Sequence, residues 1–536
     1  MKAFAKTSIG GLRWERTFID ALPADPITDN YVRQVRNACY SYTKPQLFKA
    51  PSLMILSMSV CRLLNIPEEL TKTDEFLKIF TGQEPVPDIP SWSCCYAGHQ
   101  FGSFAGQLGD GRAITIGELR NDEGNLFDIQ LKGSGKTPYS RHADGKAVLR
   151  SCIREYLASE AFFYLGIPTT RALGVFLTGE KVIRDILYDG NPAPEPGAIL
   201  CRVSESLIRF GNFEMFYWQD KHEITRQLLE YVIARNFKEL QQYQAPERYL
   251  KFLEKVVSST AQLIAKWQSV GFVHGVMNTD NMSVLGETID FGPFGFVEEF
   301  DPKWTPNTTD NDSRRYTYES QPDIGLWNLM MLGNSLLPIV EDVDKVKDIL
   351  KGYRPIFDNH YLETFKKKIG LVNTDDETAA KLIKDLMTLL ESSKLDMTIF
   401  FRKFADFNIF EFESNDFDKF LDSISDSFYN FSYIQGNLKQ WNEFLVQYKH
   451  SLINEKSDFA SRKQLMDSVN PRYILRNWQL QECILQAEKG NFDMLNEIDR
   501  MIRTPFTEQA EFEKYFQKRP DWAKRLPGYS MLSCSS

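Results

Sequence analysis

Several features are scarce in this sequence, and each absence excludes something. No run of about 18 apolar residues occurs, which excludes an ordinary membrane-spanning helix. The eight cysteines (Cys39, Cys61, Cys94, Cys95, Cys152, Cys201, Cys483 and Cys534) form no C-x-x-C pair. That spacing argues against a zinc site and against a secreted disulfide scaffold. Histidine is rare, six in 536 residues, and none stands at metal-ligand spacing. No long basic run is present and the formal net charge is -9, which argues against a nucleic-acid partner held by phosphate neutralisation. Internal repeats and low-complexity tracts are missing too. No acid precedes Glu15, whereas Lys2, Lys6, Arg13 and Arg16 are basic. This faintly resembles a mitochondrial transit peptide, but an ordinary cytoplasmic N-terminus fits as well, and cytoplasmic is the expectation.

What is present suffices for a large core: 43% hydrophobic and 13% aromatic residues. Residues 1–90 are mixed and proline-punctuated, with a helical stretch around Met54–Leu64. Residues 91–145 are rich in glycine. There Phe127, Ile129 and Leu131 alternate with Asp128, Gln130 and Lys132, the period of a strand. Leu149, Ile153, Tyr156, Leu157 and Ala161 recur at helical spacing, and Pro168 is expected to stop that helix. Further strands are expected at Ala172–Leu177, Val182–Ile186 and Ile199–Val203. From His222 onward helices dominate, interrupted at 272–296, where β-prone Ser283–Leu285 and Thr288–Asp290 flank a turn at Gly286. The expected fold class is α+β, a protein-kinase-like two-lobe fold. Residues 1–90 form an N-terminal extension and 91–220 a small β-rich lobe. Residues 221–536 form a larger helical lobe with a catalytic loop at 272–296 and a C-terminal helical extension.

That loop carries the most information. The protein-kinase template is H-R-D-x-x-x-x-N followed by D-F-G. His274 and Asn281 fit its ends, and Asp290-Phe291-Gly292 follows. The aspartate that accepts the substrate proton falls on Val276, which cannot take one. A carboxylate reappears at Asp280, beside Asn281. The metal-binding parts are kept and the base has moved, which points to a nucleotide site with altered transfer chemistry. Asn281 and Asp290 supply hard oxygen ligands suited to Mg²⁺ or Mn²⁺ on nucleotide phosphates. His274 reads as a hydrogen-bonded structural residue.

Other constellations lie in the order such a site needs. Gly106 to Arg112, with Gly109 and Gly111, is a glycine-rich turn before the strand Ala113–Leu119, and its backbone N–H groups can approach phosphate. Lys132 on the alternating strand and Glu155 on the next helix match the strand-Lys and helix-Glu pair of kinases. Gly133-Ser134-Gly135-Lys136-Thr137 is not a Walker A motif, because Gln130 stands where its first glycine is required. Asp144-Gly145 forms a further turn, and Arg202 and Arg209 can grip phosphate. Taken singly, each also fits a plain turn or a solvated ion pair.

Together these residues resemble the selenoprotein O (SelO/YdiU) family of kinase-like proteins. The likeness is carried by Tyr96 to Gly102, Gly106 to Arg112, Leu131 to Arg141, Gly166 to Leu173 and His274 to Phe296. It runs from about residue 90 to 330 and returns at the tail Ser533-Cys534-Ser535-Ser536. The resemblance implies a nucleotide bound turned around relative to ordinary kinases, and transfer of AMP from ATP to protein hydroxyls. It implies Gly109, Gly111, Arg112, Lys132, Asp144, Gly145, Arg202 and Arg209 as nucleotide-binding positions and Glu155 as the partner of Lys132. It further implies Asp280 as the catalytic base and Asn281 and Asp290 as metal ligands. Protein substrates are the expected partners, with neither nucleic acid nor membrane. An ordinary kinase and an inactive nucleotide-binding scaffold are the alternatives. One departure stands out. Some relatives carry a cysteine after Asp-Phe-Gly that is thought to pair with the tail, and this chain has none between Cys201 and Cys483.

Overall fold

The strand Leu126–Lys132 organises the N-terminal half, because its two faces bury different chemistry. Phe127, Ile129 and Leu131 pack against Val60, Phe76 and Phe80 in one hydrophobic cluster. Asp128, Gln130 and Lys132 bond to Arg235, Arg202 and Glu155. The alternating polar face is therefore not a solvated one. It faces other charges inside the protein, where an ion must be paired to be tolerated.

The structure is a computed structural model describing residues 7–185, 190–414, 417–524, 526–529 and 531–533. Lys2, Lys6, Ile186 and Cys534 to Ser536 lie outside the described residues. The strands up to residue 204 are β1 (Trp14–Glu15), β2 (Tyr40–Tyr42), β3 (Ser52–Leu56), β4 (Trp92–Cys94), β5 (His99–Gln100), β6 (Ser103–Phe104), β7 (Ala113–Arg120), β8 (Leu126–Lys132), β9 (Ala147–Val148), β10 (Arg171–Arg184) and β11 (Ala193–Ser204). Nine of them form one sheet in the order β2-β4-β7-β8-β11-β10-β3, with β1 on β7 and β9 on β11. Every pairing is antiparallel. Strands β5 and β6 make a separate hairpin. Three strands of the sheet come from residues 14–56, so the N-terminal segment is built into it.

Tertiary pairing revises several local expectations. Met54–Leu56 is drawn into β3 by pairing with β10, and helix begins only at Met58, capped by the Ser57 side chain accepting from Val60 N–H. Val182 continues β10 through a register shift at Gly179 (φ +74°) and does not start a new strand. The helix Leu149–Tyr164 stops at Gly166 (φ +72°), before Pro168 is reached. Ser283–Leu285 and Thr288–Asp290 contribute only single bridges, at Ser283 and Thr288. Helix already begins at Phe210–Trp218, ahead of His222.

The helix Leu149–Tyr164 packs on β10 and β11 and is buried from Leu149 to Phe162. The helix Glu247–Val270 ends at left-handed Gly271 and leads into β12 (Phe272–Val273). Strand β12 pairs with β13 (Gly295–Phe296), closing the 272–296 loop at its base. Helices from Gln321–Val340 to Asp493–Met501 form the rest, and those from Tyr353–Lys368 to Phe459–Val469 pack around a second cluster that includes Phe400, Phe404, Trp441 and Tyr448. The architecture is thus a large antiparallel sheet followed by many helices. Among the described residues no helix is long and apolar enough to cross a membrane.

One buried cation in the helical part gives a test. Lys368 lies over the Phe401 ring at 4.1 Å, and its Nζ donates to Asn470 Oδ1 at 2.6 Å. Burial pulls its ammonium down to about 7, against about 10.4 in an unfolded chain. Between those values the unfolded state binds more protons, so this residue makes stability rise with pH from about 7 to about 10. Lys368→Met is expected to remove that rise. Denaturant titrations of both proteins at neutral and alkaline pH should give a difference that changes across the window. Parallel pH dependences would sink the assignment.

Candidate active site

A cleft of about 710 Å³ is lined by sheet residues and by the 272–296 loop. Its lining includes Gly109, Gly111, Arg112, Lys132, Asp144, Gly145, Arg202, Asp280, Asn281 and Asp290. Glu155 and Arg209 lie behind the wall. They are 2% and 3% exposed, and both bond residues of the lining.

Turn chemistry shapes the rim. Gly109 has φ +82°, and a Cβ there would sit 2.4 Å from the Tyr139 ring. Gly145 has φ +72°, and a Cβ there would sit 2.2 Å from the Gly135 carbonyl. Only glycine fits either place. Asp144, beside Gly145, is clamped by Arg184 through two hydrogen bonds of 2.8 Å.

Behind the rim runs a chain of charges. Lys132 Nζ pairs with Glu155 Oε2, Arg202 Nε with Glu155 Oε1, and Arg202 Nη2 with Asp290 Oδ1. Arg209 Nη1 pairs with Asp290 Oδ2 and also donates to the Asp280 main-chain carbonyl at 2.8 Å. Burial alone would push Asp290 up, but Arg202, Arg209 and Lys132 hold it well below the usual carboxylate range. Glu155 is likewise held low by Arg202 and Lys132 against its burial. The expected Lys132–Glu155 pair is therefore formed, and it is one link of a longer chain.

The loop itself is pinned. His274 Nε2 bonds the Ile289 carbonyl at 2.9 Å, a structural role, and burial pulls its imidazole down. Asn278 Oδ1 accepts from Tyr316 Oη at 2.6 Å. Asn281 Nδ2 donates to the Val276 carbonyl at 2.9 Å, which leaves its Oδ1 free for a ligand. Asp280 is different. Its Oδ2 accepts from Gln100 Nε2 at 3.2 Å, while its buried Oδ1 has no partner. Burial pushes this carboxyl up to about 7, the range of a general base at neutral pH.

A free amide oxygen on Asn281 and the Asp290 carboxylate fit a hard divalent cation that also uses phosphate oxygens. Among the described residues no group of three or more His, Cys, Asp or Glu could hold a metal by itself. The reading from sequence missed Arg184 and Gln100. Gln100 lies within the Tyr96 to Gly102 segment already singled out, but its contact with a residue 180 positions away leaves no local trace.

Comparison with known proteins gives one consistent result. The profile of the family described as Protein adenylyltransferase SelO matches residues 28–503. A Protein nucleotidyltransferase YdiU from Flavobacterium johnsoniae is 44% identical over 526 residues, covering 98% of this chain and 99% of the relative. Relatives with the same description from Aromatoleum aromaticum and Azoarcus sp. are 45% and 43% identical, covering 97% and 98% of this chain and 99% of each relative.

The charge chain yields a stability prediction. Glu155→Ala leaves Lys132 and Arg202 buried without their shared anion, and is expected to cost about 3–5 kcal/mol in equilibrium unfolding. A loss below about 1 kcal/mol would mean that solvent already screens these groups.

Proposed function

We propose, from the premise that this chain belongs to the protein adenylyltransferase SelO family, that its cleft transfers AMP from ATP to Ser, Thr or Tyr hydroxyls of proteins through Asp280. The enzyme is a protein nucleotidyltransferase, as its relatives are named. That naming does not favour an ordinary kinase or an inactive scaffold. The observation that carries the assignment of roles is Asp280. It is a cleft carboxylate with one unpartnered oxygen, pushed up to about 7, in a loop whose usual base position is the apolar Val276.

In the proposed reaction the Asp280 carboxylate takes the proton of the acceptor hydroxyl. The hydroxyl oxygen bonds the α-phosphorus, the bond to the bridging β-phosphate oxygen breaks, and pyrophosphate leaves. Arg112, Lys132 and Arg202, all in the lining, suit the charge on the polyphosphate. Gly109, Gly111 and Gly145 allow the chain to approach a nucleotide closely. Asn281 and Asp290 would hold Mg²⁺ or Mn²⁺, which when bound neutralises charge on the phosphates. Arg209 acts at a distance from substrate, fixing the Asp280 peptide and Asp290 together. A kinase-like two-lobe arrangement with the nucleotide turned around accounts for a base at 280 and none at 276.

Label transfer from α- and γ-labelled ATP tests the roles. Asp280→Ala is expected to lower α-label transfer by about 10²–10⁴-fold while binding ATP normally. Val276→Asp should not create γ-label transfer, because a new base cannot help a phosphate that faces away. Strong γ-transfer by Val276→Asp, or full α-transfer by Asp280→Ala, would overturn the mechanism. Asp290→Ala is expected to abolish metal-dependent ATP binding in titration calorimetry. Unchanged metal dependence would remove Asp290 from the site.

A further inference from the structure

We infer that the aromatic rings around the β5–β6 hairpin form the docking shelf for the protein acceptor, taking an extended segment that carries an aromatic or aliphatic anchor near its reacting hydroxyl. This rests on the adenylyl-transfer reading and adds to it where the second substrate lies.

One edge of the hairpin is bonded to the catalytic loop. His99 N–H donates to Thr279 Oγ1 at 2.7 Å, Gln100 Nε2 to Asp280 Oδ2 at 3.2 Å, and Phe101 N–H to Asn278 Oδ1 at 3.2 Å. The other edge is a run of rings. Phe104 stacks on Trp218 with centroids 4.3 Å apart, and His99 meets Phe104 at 5.3 Å and Trp327 at 5.4 Å. The Arg315 guanidinium lies over Trp327 at 4.7 Å. Trp218 is 54% exposed, and surface depressions of about 490 and 540 Å³ flank it.

Continuity with the cleft decides the occupant. The cleft's cationic lining includes Arg112, Lys132 and Arg202 from the sheet region, groups suited to polyphosphate. The lining bonded to Asp280 is neutral Gln100, with Phe101 beside it, and these two run directly into the shelf. A hydroxyl approaching Asp280 along this hairpin brings its flanking residues onto Phe104 and Trp218. Ring surfaces of this kind, with an Arg at the margin, are what binding hot spots are made of. Glu214 pairs with the His99 ring from beneath and fixes its orientation.

The test uses the full chain with α-labelled ATP and a positional peptide library in which each peptide carries one Ser, Thr or Tyr. Wild type is expected to prefer an aromatic or aliphatic residue at a fixed distance from the acceptor. Trp218→Ala and Phe104→Ala should raise KM for those peptides about tenfold, with kcat and the ATP dissociation constant unchanged. Trp218 is more than half exposed, so its variant should keep the wild-type thermal unfolding curve. Wild-type KM in both variants, no anchor preference in wild type, or label entering only folded acceptors would each overturn the shelf and leave adenylyl transfer standing. Self-association abolished by Trp218→Ala with peptide KM unmoved would assign the face to a second copy and also overturn it. Absence of α-label from every acceptor would instead defeat the adenylyl-transfer reading, and the shelf with it.

Discussion

The chain of buried charges from Lys132 through Glu155, Arg202 and Asp290 to Arg209 is the constraint on which the site depends. It joins β8, the helix Leu149–Tyr164, β11, the 272–296 loop at Asp290 and the start of the helix Phe210–Trp218 through ionic contacts. It counts three cations against two anions, and the buried Asp110 carboxyl, which also feels Arg209 and Arg202, lies beside it in the lining. Charges buried in a low-dielectric interior are costly to desolvate even when paired. Apolar side chains of similar volume would make a more stable wall. The cations of this wall suit the polyphosphate of the proposed nucleoside triphosphate substrate.

Asp280 is served by this chain without being neutralised by it. Arg209 bonds the Asp280 peptide oxygen and not the carboxylate, and its charge only partly offsets the effect of burial on that carboxyl. Two glycines then allow close packing around Asp280, Gly98 on the carboxylate and Gly211 on the Ala97 carbonyl beside it. A Cβ at Gly98 would lie 2.8 Å from Asp280 Oδ1, and one at Gly211 would lie 2.1 Å from the Ala97 carbonyl. The tight fit excludes water, and exclusion of water lifts the carboxyl to about 7. Geometry and basicity thus have one cause.

Local sequence carried the parts of the site whose spacing is set by local structure. Alternation at Phe127 to Lys132 located β8, and helical spacing from Leu149 located the helix that bears Glu155, so their pairing followed from order alone. It could not tell that the polar face of β8 is buried, because burial there depends on Arg202 and Arg235 arriving from later in the chain. For the same reason Met54–Leu56 read as helix until β10 offered an edge. Arg184, beyond the bulge at Gly179, was invisible as the clamp on Asp144. The helix end was misplaced at Pro168 because Gly166 already adopts the left-handed turn that stops it.

The catalytic loop is also held from behind by the far end of the chain. Arg154 Nη2 donates to the Phe294 carbonyl at 2.8 Å, and Nη1 of the same residue bonds Asn477. Asn307 Nδ2 donates to the Gly275 carbonyl at 3.0 Å. Thr308, its neighbour, donates to the Leu532 carbonyl through its main-chain N–H at 2.7 Å and its hydroxyl at 2.8 Å. Leu532 is buried, so this contact is sheltered from water. With no cysteine between Cys201 and Cys483, the tie between the tail and the segment after Asp-Phe-Gly is made of hydrogen bonds and packing. Such a tie needs no thiol chemistry. It also sets the position of Gly275, and through it the loop that carries Asp280, from residues more than 220 positions away.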